Sequence, residues 1–176
     1  MLAGELYDPT DPQLAADRKT ARALCVRLNA LDPAEAFTKK QLLTSLFGKR
    51  IHADITTPFN CDYGYNLHLG EGTYLNCNCV FLDVVKIVVG KGTIFGPGVH
   101  VYTAMHSMDP AERRAGLVYA NPVTIGENVW IGGGAIICPG VTIGDNSVVG
   151  AGSVVTRNVP EGVFAAGNPC RVIRSL

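Results

Sequence analysis

Charge of either sign is not in excess in this chain: 15 lysines and arginines meet 15 aspartates and glutamates. There is also no basic run of five or more, which excludes nucleic acid or an anionic membrane as the main partner. No apolar run reaches the ~18 residues that a membrane span requires. The opening Met1-Leu2-Ala3-Gly4-Glu5 has neither the positive nor the apolar stretch of a secretion signal, so a cytoplasmic protein is expected. Aromatic residues are scarce, at 7% beside 47% hydrophobic residues in all, which predicts a narrow, aliphatic core. Cysteine is present, but metal-ligand spacing is not. Cys25, Cys61, Cys138 and Cys170 are scattered, and Cys77 with Cys79 makes a lone C-x-C. In a reducing compartment these read as small buried thiols rather than disulfides or zinc ligands.

What the chain has instead is a period of six. Ile125, Ile131, Ile137, Ile143, Val149 and Val155 recur at that interval, and the first five are followed by Gly126, Gly132, Cys138, Gly144 and Gly150. Six is neither a helical period nor the alternation of a sheet. It marks a parallel β-helix, in which one unit forms one face of a triangular coil. The aliphatic residue points inward, and the small residue lets the backbone turn the corner. Three units close a coil of about 18 residues, so Ile143 is expected directly above Ile125. Two shorter runs, Leu69-Leu75-Phe81 and Val89-Phe95-Val101, keep the period, with two extra residues between them near Asp83 and Val84. From about 102 to 121 no hexad exists. That stretch is polar and carries His106, Asp109, Glu112, Arg113 and Arg114, and the frame resumes at Val123. Long loops in compact domains are mostly functional or disordered, so chemistry is sought here first.

Residues 1–50 are different material. Leu14, Ala21, Leu24, Cys25 and Leu28 share a face interleaved with Asp17, Arg18, Lys19 and Arg22, which predicts an amphipathic helix from Pro12. Asp32-Pro33 announces a second helix as cap and first turn; it carries Phe37, Leu42, Leu43, Leu46 and Phe47 and stops at Gly48. Two such helices must bury their apolar faces, and they suit a lid on the open edge of the first coil. The expected organisation is a helical segment over 1–50 and a β-helix over 51–176, with a loop at 102–121. A tail containing Gly167-Asn168-Pro169 is expected to leave the solenoid.

Four motifs accompany the hexads. They are Ala3-Gly4-Glu5-Leu6-Tyr7, Cys61-Asp62-Tyr63-Gly64-Tyr65-Asn66, the loop's Tyr102-x-Ala104-x-His106, and the ending Ala166-Gly167-Asn168-Pro169-Cys170-Arg171-Val172-Ile173. In all of them, over essentially its whole length, the chain resembles the hexapeptide-repeat acetyltransferases. Within that family it is most similar to the maltose O-acetyltransferase branch, with galactoside and nodulation acetyltransferases as relatives. The resemblance implies a left-handed coil, against the usual crossover rule. It also implies acetyl-CoA as co-substrate, a sugar acceptor, no metal, and a homotrimer with active sites between subunits.

Acetyl transfer from a thioester to a hydroxyl needs a base for the proton, a donor for the oxyanion, and both substrates in line. An imidazole takes and returns a proton near neutral pH, and the resemblance makes His106 that base; a bare surface histidine is the plain alternative. The γ-class carbonic anhydrases share the solenoid and bind a metal through three histidines, with a spacing that His100 and His106 do not have. Only His52 and His68 precede them, so no metal site is expected.

On the acceptor side the resemblance points to Asp62, Tyr74, Asn76, Asp83 and Asp8, the carboxylates to accept hydroxyl bonds and the ring to offer its face. Asp62, Tyr74 and Asp83 are expected to cluster. Asp62 stands where galactoside enzymes carry serine, and Val84 where they carry a second acid, which argues for a maltose- or glucose-type acceptor. Asp8 reads equally as a helix cap. On the coenzyme side the resemblance points to Asn76, Gly133, Ala151, Thr156, Arg157, Arg171 and Arg174. Small residues let a pantetheine arm lie on the backbone, and arginines meet phosphates. Relatives often carry serine at Gly133; here a backbone N–H must serve the oxyanion. Two other readings stand beside this one: a non-sugar acceptor such as an antibiotic or amino acid, and a solenoid that binds without catalysing.

Overall fold

The computed structural model describes residue 1 and residues 5–176, so the Ala3-Gly4 part of the N-terminal motif lies outside the described residues. Helix α1 (Pro12–Asn29) opens on Asp11, whose carboxylate accepts from the N–H groups of Gln13 and Leu14. It buries Ala21, Cys25 and Leu28. Helix α2 (Ala36–Phe47) starts later than Asp32-Pro33 suggested. Asp32 accepts from Ala34 N–H in the preceding turn, and the cap position falls to Glu35, which makes no side-chain capping bond. Gly48 ends α2 at φ +66°, the left-handed conformation that favours glycine. Phe47, at the buried end of α2, stacks on Phe59 of the first coil with ring centroids 6.4 Å apart, so α2 forms a lid on the prism.

The rest winds as a left-handed parallel β-helix. The first coil places β1 (Asp54–Ile55), β2 (Phe59–Cys61) and β3 (Leu67–Leu69) on three faces, and the second repeats them as β4 (Tyr74–Leu75), β5 (Cys79–Leu82) and β6 (Ile87–Val89). The third begins with β7 (Ile94–Phe95) and β8 (His100–Tyr102). It then leaves the prism as β9 (Ala104–His106), helix α3 (Pro110–Arg114) and β10 (Val118–Ala120), and closes with β11 (Val123–Ile125). Above it lie β12 (Trp130–Ile131), β13 (Ile136–Ile137) and β14 (Thr142–Ile143), then β15 (Val148–Val149) and β16 (Val154–Val155). Finally β17 (Val163–Gly167) joins the first face and β18 (Cys170–Ser175) runs back along it, antiparallel, so the tail adds to the solenoid instead of leaving it.

Register follows the period: Ile125 pairs with Ile143, Ile131 with Val149, and Ile137 with Val155. The inward column of the first face, Ile55, Leu75, Phe95, Ile131, Val149 and Ala165, is 0% exposed throughout. At ~1.5–3 kcal/mol for each large buried side chain, such columns are the main source of stability.

One corner departs from the rule. Between the second and third faces, eight residues rather than six separate Phe81 from Val89, and equally Cys61 from Leu69. The long loop leaves from this same corner one coil higher. Side chains stitch the three excursions together. Asp83 accepts from the N–H groups of Asp62, Tyr63 and Gly64 at 3.0, 2.9 and 2.7 Å, and Asn66 donates to the carbonyls of Asp83 and Val84 at 2.8 and 3.1 Å. Thr103 donates to the Leu82 carbonyl at 2.6 Å. Tyr63, Val84, Val85 and Ala120 fill a second small core here, with Tyr7 and Leu14 packed against it.

Candidate active site

His106 ends the strand that rises from this corner. Val118 pairs with His106 on one side and with Tyr7 on the other, so Tyr7, Val118 and His106 form one row. Two strand spacings, ~10 Å, separate its ends, and Asp8 follows Tyr7. His106 itself is exposed, but the chain after it is braced. The buried Ser107 donates to Glu112 at 2.6 Å and accepts from Asp109 N–H at 3.0 Å. Arg113 donates to the carbonyls of Ser107 and Met108 at 3.0 and 3.3 Å, and Asp109 caps α3. An accessible imidazole is thus presented from a backbone with little freedom.

Asp62 lies at the same corner two coils below. Its carboxylate is 3.6 Å from the Arg22 guanidinium, and its side chain is 17% exposed. Burial raises its carboxyl above the usual range, while Arg22 and Arg18 pull it down. Arg18 donates to the Tyr63 hydroxyl at 2.6 Å and to the Pro9 carbonyl, with its guanidinium 5.8 Å from the Tyr63 ring centre. Sequence reasoning missed both arginines. Their spacing of four along the polar side of α1 was the available signal. Asp8 is exposed and takes the N–H and hydroxyl of Thr10 at 2.8 and 2.6 Å, which lowers its carboxyl; the cap of α1 is Asp11.

Two acceptor-side expectations need correction. Asp83 is 0% exposed, and its carboxylate is taken up by three backbone N–H groups, so it braces the corner and does not face a ligand. Burial pushes its carboxyl up to about 7, against those bonds. Tyr74 does not cluster with Asp62 and Asp83. It lies in β4 on the first face, paired with Asp54 and Ile94, with its hydroxyl 3.2 Å from that of Thr56. Half a coil of chain carries it to a different side of the prism.

The corner between the first and second faces holds the other candidates. Its positions in successive coils are Thr56, Asn76, Gly96, Gly132, Gly150 and Ala166. A Cβ on Gly96 would meet Gly133 N at 2.5 Å, and one on Gly132 would meet Ala151 N at 2.4 Å, so stacked backbone excludes side chains there. Asn76 is the one amide on this smooth edge. Its Oδ1 accepts from Cys77 N–H at 2.8 Å, which leaves the Nδ2 hydrogens as donors. Gly133 and Ala151 belong to this edge above it, where Gly152 N–H donates to the Gly133 carbonyl at 2.9 Å. Arg171 pairs with Ala166 at the top. From Asn76 to Ala151 is three coils, or roughly 14 Å of rise. Thr156 and Arg157, both exposed, follow β16 at the far edge of the second face, and Arg174 pairs with Phe164 on β18.

The candidates therefore fall on two edges of one face. Asn76, Gly133, Ala151 and Arg171 lie on the first edge; His106, Asp8, Asp62, Thr156 and Arg157 lie on the second. The length of β5, ~10 Å, stands between the edges. The histidines are dispersed too. His100 meets the Tyr102 hydroxyl at 2.7 Å, His68 meets Lys49 at 2.9 Å, and among the described residues no group of three His, Cys, Asp or Glu side chains is placed to hold a metal. No helix among the described residues is long and apolar enough to cross a membrane.

Comparison with known proteins matches residues 1–50 to the maltose acetyltransferase hexapeptide capping motif and residues 122–157 to the bacterial transferase hexapeptide of six repeats. Nodulation protein L of Rhizobium meliloti is 52% identical over 174 residues, covering 98% of this chain and 94% of that protein. The crystal structure of a maltose O-acetyltransferase from Clostridium difficile superposes with a TM-score of 0.96 at 44% identity, covering 99% of this chain and 94% of the other. A hexapeptide-repeat acetyltransferase of Vibrio cholerae, solved in complex with acetyl coenzyme A, gives a TM-score of 0.89 at 38% identity over 100% and 96% of the two chains.

Proposed function

Because this chain belongs to the hexapeptide-repeat acetyltransferases and is an acyltransferase, we propose that it transfers an acetyl group from acetyl-CoA to a hydroxyl of a maltose- or glucose-type sugar. The observation that carries the reading is the pairing of a braced, exposed His106 with a smooth edge broken only by Asn76. The His106 imidazole removes the proton of the acceptor hydroxyl, and the freed oxygen attacks the thioester carbonyl carbon. The resulting oxyanion is met by the Asn76 amide or by a backbone N–H near Gly133. Collapse breaks the carbon–sulfur bond, and the imidazolium returns its proton to the departing thiolate. Both substrates are bound together, so no acetyl-enzyme forms. Asp62, held by Arg22, and Asp8, beside the His106 row, supply hydroxyl acceptors to the sugar; Tyr74 approaches it from the other edge.

Pantetheine lies along Gly133 and Ala151, with Thr156 and the cations Arg157, Arg171 and Arg174 toward the adenosine phosphates. Since the two edges of one chain do not meet, the site forms between subunits of a homotrimer, where the His106 edge of one faces the Asn76 edge of the next. Acetyl-CoA is an intracellular metabolite, which places the enzyme in the cytoplasm. No step calls for a metal.

Turnover with glucose, maltose, galactosides and chitobiose tests the acceptor class. His106→Ala should lower kcat by ~10²–10⁴ with acetyl-CoA binding unchanged. Full turnover in that variant would remove the base. Transfer to an antibiotic or amino acid but to no sugar would favour the non-sugar reading, and coenzyme binding without any transfer would favour a binding module.

A further inference from the structure

A groove of about 1310 Å³ runs between α2 and the outside of the first face. Tyr74 borders it, and Tyr74 stands two positions before Asn76, so the groove opens beside the amide that the proposed function places at the reacting group. The α2 wall presents Phe37 and Gln41, and the opposite wall presents Arg50, His52 and Asp54. Phe37 is 74% exposed while Leu42, Leu43, Leu46 and Phe47 of the same helix are buried, so this ring faces the groove without serving the core. Asp54 lies 3.6 Å from Lys39, which leaves its charge matched. What remains is two aromatic rings with amide, imidazole and guanidinium groups around them. That set suits the apolar face and the hydroxyl rim of a pyranose. The volume also exceeds the ~300–1,000 Å³ of a pocket for one small ligand, so a monosaccharide at Asn76 would leave the groove empty.

We propose that this groove binds the second and third rings of an oligosaccharide acceptor whose terminal ring is acetylated beside Asn76 and His106. The inference rests on the sugar-acceptor reading and adds chain length as a determinant of specificity. It is tested by kcat/KM for glucose against its α1,4- and β1,4-linked di- and trisaccharides, in the wild type, Phe37→Ala and Arg50→Ala. Both side chains are on exposed residues, and alanine favours the helix, so folding is spared. In one of the two series kcat/KM should rise ~10-fold or more with length, and both variants should lose that rise while keeping glucose turnover. A flat dependence in both series, or a rise that survives both substitutions, overturns the proposal. Glucose turnover without a length effect sinks the groove and leaves the sugar reading standing; no turnover of any sugar sinks both. A changed oligomeric state of Phe37→Ala in light scattering would assign the groove to a second copy of the chain and overturn the proposal as well.

Discussion

Mixing two inactive variants, His106→Ala and Asn76→Ala, should restore activity, and by a calculable amount. His106 and Asn76 lie on opposite edges of the second face, with β5 between them. In a closed ring of three, each junction takes the His106 edge from one chain and the Asn76 edge from its neighbour. Random assembly of an equal mixture supplies an intact His106 edge about half the time and an intact Asn76 edge about half the time, so about one quarter of junctions are whole. The mixture, unfolded together and refolded, should therefore recover roughly 25% of wild-type kcat per site, while the His106→Ala protein alone stays ~10²-fold or more down. Asn76→Ala also orphans the Cys77 N–H, worth only ~1–3 kcal/mol, so its fold should survive and can be checked by circular dichroism. The product to measure is acetylated sugar by chromatography, because the six cysteines of the chain would confuse a thiol reagent. A site contained within one chain predicts no recovery at all. Mixed trimers verified by mass and still inactive would refute the split site, as would a fully active monomer.

Asp83→Ala orphans three buried N–H groups and should cost about 3–6 kcal/mol by urea denaturation, a large part of an ordinary domain's stability. Asp83→Asn, which keeps the oxygen serving Asp62 and Tyr63, should cost about 1–3 kcal/mol; lost turnover at unchanged stability would return Asp83 to the substrate. Arg171→Ala with Arg174→Ala should raise KM for acetyl-CoA well above any change in KM for the sugar, and an equal or reversed effect would move the coenzyme site. Gly132→Ala forces a Cβ to 2.4 Å from Ala151 N and should lower the urea midpoint by the equivalent of at least ~1–3 kcal/mol, an outcome that an unchanged midpoint would contradict.

The solenoid was legible in the chain because its rule is local. One aliphatic residue in six points inward whatever lies elsewhere, so Ile125 beneath Ile143 followed from counting. The loop at 102–121 was legible for the same reason, as the place where the count fails. Handedness was not, since a period of six suits either hand; resemblance supplied it. Counting also failed at the corner of Asp62 and Asp83. Once two residues are added, no periodicity says which way a side chain turns, and only the stacking of three excursions on one corner sends Asp83 inward and leaves Asp62 to Arg22. Tyr74 went astray because nearness in sequence is not nearness on a prism, where six residues change the face. The row Tyr7–Val118–His106 and the reach of Arg18 and Arg22 join distant parts of the chain through strand pairing and helix docking, and neither leaves a mark in a six-residue window. The sequence alone thus determined the repeat, the break in it and the residue types for acyl transfer. Tertiary structure decided which of those residues share an edge, because that depends on how many residues each corner takes up before the next face begins.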